Sequence, residues 1–240
     1  FSTELVNIDL TTINYTADTN ASGSQITANK LDVVSSSSLS GVQFDFWTTA
    51  PSVGDKLYLE FYNETLGQNT CYCQFEFIET GTSNKMYVYH EVKNAMVSRD
   101  NQTRVHFNNI SGQTYLSLGA GYSWSAPSGG AGNVNLGSHV PRLYYTFEFI
   151  AGLDVKVSVH TAYERDESSF VMSFHASEFA SSNPVSAFNS VPMSIKLYEN
   201  NNGEDTTWSW ENFEYVTTPI PSALALALET TDPSASGIYV

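Results

Sequence analysis

Three observations predict an all-β fold, an antiparallel jelly-roll-type β-sandwich with an appended C-terminal strand. Apolar and polar residues alternate with period two almost throughout, no 3.6-residue amphipathic period persists over three turns, and polar turn signals recur at short intervals. The 240 residues also include 14 Tyr, 14 Phe and 4 Trp, an aromatic load that suits pleated, half-buried surfaces.

The elements follow in order. Alternation predicts strands carrying Val42, Phe44 and Phe46; Leu57, Leu59 and Phe61; and Cys71, Cys73, Phe75 and Phe77. Further strands fall at 86–92, 104–107, 114–118, 143–150, 155–159, 170–174, 193–198 and 208–215. Turns are read at 53–55, 67–69 and 151–153, and Asn202-Gly203 reads as a hairpin dipeptide. Residues 120–137 form a long Gly-rich loop, and 177–188 holds at most one helical turn, stopped by Pro184. The Pro-punctuated break at 217–221 divides a sandwich domain, 1–216, from a tail, 217–240.

Net charge is −15, which repels phosphate backbones and anionic lipid, so nucleic acid and membrane surfaces are excluded as natural partners. No run of 18 apolar residues provides a membrane span. The first residue is Phe1, and the chain is rich in Ser, Thr and Asn, which predicts a processed, extracellular product, secreted or at the cell surface. Sequons stand at Asn14, Asn20, Asn63, Asn101 and Asn109. A chain of this composition produces about that many by chance, so neighbouring turns, rather than number, argue for glycans at Asn63, Asn101 and Asn109.

The cysteines are Cys71 and Cys73. In a strand they share a face with Cα atoms about 6.5 Å apart, near the limit for a disulfide. A strained disulfide and two buried thiols both fit, and a metal site needs more ligands.

The residues name no reaction, and the chain reads as a non-enzyme. His90, His106, His139, His160 and His175 are scattered without metal spacing, and there is no Gly-x-Ser-x-Gly elbow. Carboxylates cluster at Glu164, Asp166 and Glu167, at Glu76 and Glu79, and at Glu211 and Glu214. Adjacent acids in a turn are expected to form a solvated loop rather than the spaced pair a glycosidase needs. Gly119-Ala120-Gly121 lacks the following helix of a phosphate loop. Tyr122 and Trp124, in the Gly-rich stretch, are candidates for stacking on a sugar. Glu199, Asn202, Glu204 and Asp205 supply oxygen ligands that would suit calcium; no other cofactor is implied.

Phe44-Asp45-Phe46, the run 55–61 and the closing Trp210-Glu211-Asn212-Phe213-Glu214-Tyr215-Val216 resemble the concanavalin-like jelly rolls of lectins and laminin G modules. That resemblance implies the sandwich and, as one reading of function, a secreted carbohydrate-binding, lectin-like module. The stretch 218–226 resembles the end of bacterial PEP-CTERM exported proteins, with Ile220 in place of the Glu and an apolar run that stops at Glu229.

The tail carries the other reading. Leu224, Leu226 and Leu228 fall on one face of an extended segment and Ala223, Ala225 and Ala227 on the other. A tethered apolar strand must join a sheet, in cis or in a neighbour, and burying three Leu supplies roughly 1.5–3 kcal/mol each. Donation to a neighbour is similar in principle to pilus donor-strand complementation and makes a head-to-tail homopolymer. The sequence is therefore expected to be a structural subunit of an extracellular filament or surface assembly, with glycan binding as the alternative. The segment 5–13 is a weaker candidate for the same donation.

Overall fold

Alternating apolar residues become the facing surfaces of two antiparallel sheets in the computed structural model. It describes residues 4–33, 40–63, 71–80, 85–86, 90–95, 102–108, 116–123, 131–150, 154–175, 192–200 and 208–217. In chain order the strands begin with β1 (Glu4–Asn7), β2 (Tyr15–Ala17), β3 (Gln25–Ile26), β4 (Lys30–Asp32) and β5 (Ser40–Trp47). Then come β6 (Lys56–Asn63), β7 (Cys71–Glu79), β8 (Lys85–Met86), β9 (His90–Ala95), β10 (Gln102–Asn108) and β11 (Ser117–Leu118). The last are β12 (Ala131–Asn135), β13 (Arg142–Ile150), β14 (Asp154–His160), β15 (Phe170–His175), β16 (Met193–Asn200) and β17 (Trp208–Thr217).

Among the described residues, one sheet runs β11-β15-β14-β13-β6-β17-β4-β3, with β1 also on β17; the other runs β12-β10-β9-β7-β16-β5-β2, with β8 on β7. Consecutive strands β5, β6 and β7 alternate between the sheets, as do β16 and β17, and this exchange makes the sandwich a jelly roll. Asn202-Gly203 lies outside the described residues; the strands on either side of it, β16 and β17, lie in different sheets. Turn chemistry says that the chain reverses, not which sheet it re-enters. Residues 151–153 also lie outside the described residues, and the strands before and after them, β13 and β14, are paired, with Ile150 opposite Asp154.

The core lies between the sheets. Leu57, Leu59, Phe61, Tyr145, Phe147, Phe149, Val155 and Val157 face it from the first sheet; Val42, Phe44, Phe75, Phe77, Ile195 and Leu197 face it from the second. Aromatic rings bridge the layers edge to face: Phe75 and Phe77 meet Phe147 at 5.0 and 5.3 Å, and Trp47 meets Phe149 at 4.8 Å. Such pairs add to area burial because ring edges and faces carry opposite partial charge. One polar staple sits at the rim, where the Tyr215 hydroxyl donates to Asp55 (2.7 Å) and accepts from Trp47 Nε1 (2.8 Å).

Several expectations change. Residues 131–135, assigned to the Gly-rich loop, form strand β12, paired with β10. Gly119 packs closely on β15, as a Cβ there would sit 1.9 Å from the Phe170 carbonyl oxygen. The segment at 5–13 is not free for donation, because Leu5 and Val6 pair in cis with Val216 and Tyr215 of β17. Residues 222–229, the Leu/Ala strand, lie outside the described residues, and so does 218–240 as a whole. Among the described residues no helix is long and apolar enough to cross a membrane.

Candidate functional site

The outer face of the first sheet is built from the polar halves of the alternating strands. Lys56, Tyr58, Glu60 and Tyr62 of β6 stand opposite Glu148, Thr146, Tyr144 and Arg142 of β13. Beyond β13, β14 contributes His160, Ser158 and Lys156 opposite Tyr144, Thr146 and Glu148. Cross-strand partners share a face, so these side chains form one polar field behind the apolar core.

β17 completes the field through a bulge. Glu211 pairs with Glu60 and Glu214 with Tyr58, leaving Asn212 and Phe213 opposite the single residue Leu59. In a regular strand Glu211 and Glu214 would point to opposite faces. Here the extra residue turns both outward while Phe213 stays in the core, 1% exposed. Asn212 makes this possible: its φ is 52°, a left-handed conformation that Asn tolerates better than most residues. Its backbone N–H donates to the Asn29 carbonyl at 2.9 Å, and its side-chain amide donates to Glu60 at 2.8 Å.

At one end of the face lies an ion-paired knot. Glu60 is 3% exposed and pairs with Arg142, which also reaches Glu211 at 3.4 Å. Ser209 donates to Glu211 at 2.6 Å. The Arg142 guanidinium lies 4.2 Å from the Tyr62 ring centroid. Every carboxylate here has its charge answered.

At the other end a cleft of about 390 Å³ opens between β6, β13, β14, β17 and the loop 161–169. Its walls include Tyr58, Thr146, Ser158, His160, Arg165 and Glu214. The loop is held by Asp166, whose carboxylate accepts from the Ser168 hydroxyl (2.8 Å) and the Ser169 N–H (2.9 Å), and these bonds lower its pKa. Arg165, at φ 52°, then turns inward. Its guanidinium carbon sits 4.4 Å from the Tyr58 centroid, 5.2 Å from Tyr163 and 5.6 Å from Tyr144. Tyr163, 47% exposed, donates to Glu214 at 3.1 Å, a bond that raises the Tyr163 pKa. Burial, reinforced by the Arg165 charge, lowers the His160 pKa, so the imidazole is neutral near pH 7. Lys56 and Glu148 pair at 3.3 Å on the rim.

The residues expected from sequence do not assemble here. Tyr122 is half-buried and packs against the core, away from the lining of the cleft. Trp124, Asn202, Glu204 and Asp205 lie outside the described residues, as do Asn101, Asn109 and the tail residues Ala223, Leu224, Ala225, Leu226, Ala227 and Leu228. Glu199 is placed only as backbone of β16, and the same holds for Cys71 and Cys73 in β7. Asn14 and Asn20 are exposed, whereas Asn63 is fully buried in β6. A glycan at Asn63 is therefore incompatible with the fold, because its alternation points it inward. Among the described residues no three His, Cys, Asp or Glu side chains converge as metal ligands.

Three cleft residues, Glu164, Arg165 and Glu214, lie in the acidic clusters noted in the sequence. What alternation missed was their convergence. The available signal was the polar half of two strands, Lys56-Tyr58-Glu60-Tyr62 and Arg142-Tyr144-Thr146-Glu148, each too rich in aromatics and charges for a merely solvated face.

No family model matches the chain, and no curated protein matches it. Among solved structures it is similar to β-agarase A from Zobellia galactanivorans, with 7% identity, TM-score 0.47, and coverage of 91% of this chain and 93% of that one. It is similar to the CBM2 module of the evolved Dit of Lactobacillus casei BL23 phage J-1, with 8% identity, TM-score 0.46, and coverage of 92% and 100%. A further similarity is to the exoplasmic/lumenal domain of VIP36 in its Ca2+/Man3GlcNAc-bound form, with 5% identity, TM-score 0.44, and coverage of 91% and 92%.

Proposed function

We propose that the protein is a secreted carbohydrate-binding module whose site is the cleft between the outer face of the first sheet and the loop 161–169. The cleft itself carries the reading. Its volume falls in the range of ligand pockets, and its lining mixes ring faces with convergent donors and acceptors. A sugar presents apolar C–H faces and a ring of hydroxyls, so it needs both. Thr146, Ser158, Glu148 and Glu214 meet hydroxyls, and the exposed Tyr163 ring meets a C–H face.

The reading proposed is binding rather than hydrolysis, and it is supported by how the acids of this face are paired. A general acid needs a carboxyl whose proton is held near neutral pH. Glu60 and Glu211, at the far end of the face, are instead held in ion pairs to Arg142. The filament reading rests on residues 222–229, and the cleft supports the glycan reading in its place.

A glycan array followed by calorimetry tests this proposal. The wild type should bind a selective set of glycans. Ser158→Trp, which fills the cleft from a half-buried outer position, should weaken that binding about tenfold or more while circular dichroism shows an unchanged fold. No selective glycan, or full affinity in Ser158→Trp, would overturn it.

A further inference from the structure

We propose that the rings of Tyr58, Tyr144 and Tyr163, with the Glu214 carboxylate, form a receptor for an organic ammonium group, the free amine of an amino sugar, and that Arg165 occupies it as an internal stand-in. The inference rests on the glycan reading above and names the class of sugar.

Three aromatic rings surround one cation at 4.4–5.6 Å, an arrangement that ring quadrupoles favour and that ammonium-recognising sites share. Glu214, 8% exposed, stands at the same place and takes the Tyr163 hydroxyl bond. The cleft is also lined by Glu164 and by Glu148, the latter paired to Lys56.

Arg165 is a poorly secured occupant. Among the described residues its guanidinium makes no ion pair within 4.0 Å, unlike Arg142, and it donates to the Tyr163 carbonyl at 2.8 Å. Its Nε is buried without a partner, which is costly for a charged group. Its backbone is left-handed without being Gly. A ligand ammonium that displaces it keeps the ring contacts, donates to Glu214 and lets the buried Nε find a partner in solvent. Thr146 and Ser158, beside the cage on the same face, then meet the hydroxyls of the same sugar.

Calorimetry with a glucosamine hexamer and an N-acetylglucosamine hexamer tests the assignment, since acetylation removes only the charge and adds bulk. The amine oligomer should bind about tenfold more tightly. Glu214→Gln, which keeps an acceptor for Tyr163, should abolish that preference; general attraction to an acidic protein would survive it. Arg165→Ala should tighten binding of the amine oligomer several-fold and change that of the acetylated one less. Equal affinity for the two oligomers, a preference that persists in Glu214→Gln, or weaker amine binding in Arg165→Ala would overturn the proposal. So would binding of a trimethyl-lysine peptide without any amino sugar. If a neutral glycan binds in a Ser158→Trp-sensitive manner without amine preference, the cage assignment fails and the glycan reading stands. If no sugar binds at all, both fail.

Discussion

Arg142 and Arg165 reach the same outer face of one sheet and are held there by opposite means. Arg142 lies between two carboxylates, Glu60 and Glu211, with a tyrosine ring beneath it. Arg165 lies among three tyrosine rings with its Nε unpartnered. The first arrangement ties β6, β13 and β17 together and leaves nothing for a ligand to improve. The second leaves a buried, unpartnered Nε that displacement by an external group can relieve. On one polar face, the clamped end and the proposed binding end differ in how completely their cations are satisfied.

The sharpest way to break this comparison is to remove the cations in turn. Arg142→Ala strands Glu60, 3% exposed, with the Asn212 amide left as its donor among the described residues. Breaking a fully buried pair costs about 3–5 kcal/mol. Arg142 is itself 40% exposed, so the expected loss is about 2–3 kcal/mol, read from urea denaturation midpoints at constant m-value. A loss below about 0.5 kcal/mol would mean that Glu60 is hydrated or protonated rather than clamped.

The bulge comes next, because it alone brings Glu211 and Glu214 to one face. Asn212→Ala removes the bond to Glu60 and places a less tolerant residue at φ 52°; about 1.5 kcal/mol of destabilisation is expected. Asn212→Gly keeps the backbone conformation and loses only the bond, for about 0.5–1 kcal/mol. Equal losses in both variants would show that the backbone conformation contributes nothing.

Arg165→Ala should change stability by less than about 1 kcal/mol, since the lost ring contacts are offset by removal of the unpartnered Nε. A loss as large as that of Arg142→Ala would erase the distinction between the two ends and make Arg165 a structural clamp.

The same contrast explains what was legible in the sequence. Inner faces were: Leu57-Leu59-Phe61 and Val155-Val157-Val159 alternate, and burial of one face sets register without reference to distant residues. The site was not, for two reasons. Glu211 and Glu214 share a face only because of a bulge, and the only local hint was an Asn within an aromatic strand. Arg165 reads as part of a solvated acidic turn, and its inward path depends on Tyr58 and Tyr144, which meet only after β6 and β13 pair. Period two predicts which side of a strand is polar; it cannot predict that a loop will fold over that side.

The smallest expected effect separates the two ends by pH. His160 is 8% exposed and borders the Arg165 end. Its pKa is lowered first by burial and then by the Arg165 charge, with Asp166 opposing and Lys156 adding a smaller push downward. In the unfolded chain the imidazole titrates near 6.5. Between that value and the lower folded one, the unfolded state binds more protons. His160 therefore contributes stability that is present above about pH 6.5 and is lost as the pH falls through the folded pKa. Melting temperature should fall as acid is added below that point, and His160→Gln should flatten the slope without abolishing it, because burial lowers the His139 pKa in the same way. Arg165→Ala should flatten it less, since the charge is the second cause and not the first. A slope unchanged in His160→Gln would mean that the ring is already solvated, and that the cleft admits more water at its floor than the packing of His160 on Phe170, at 5.4 Å, implies.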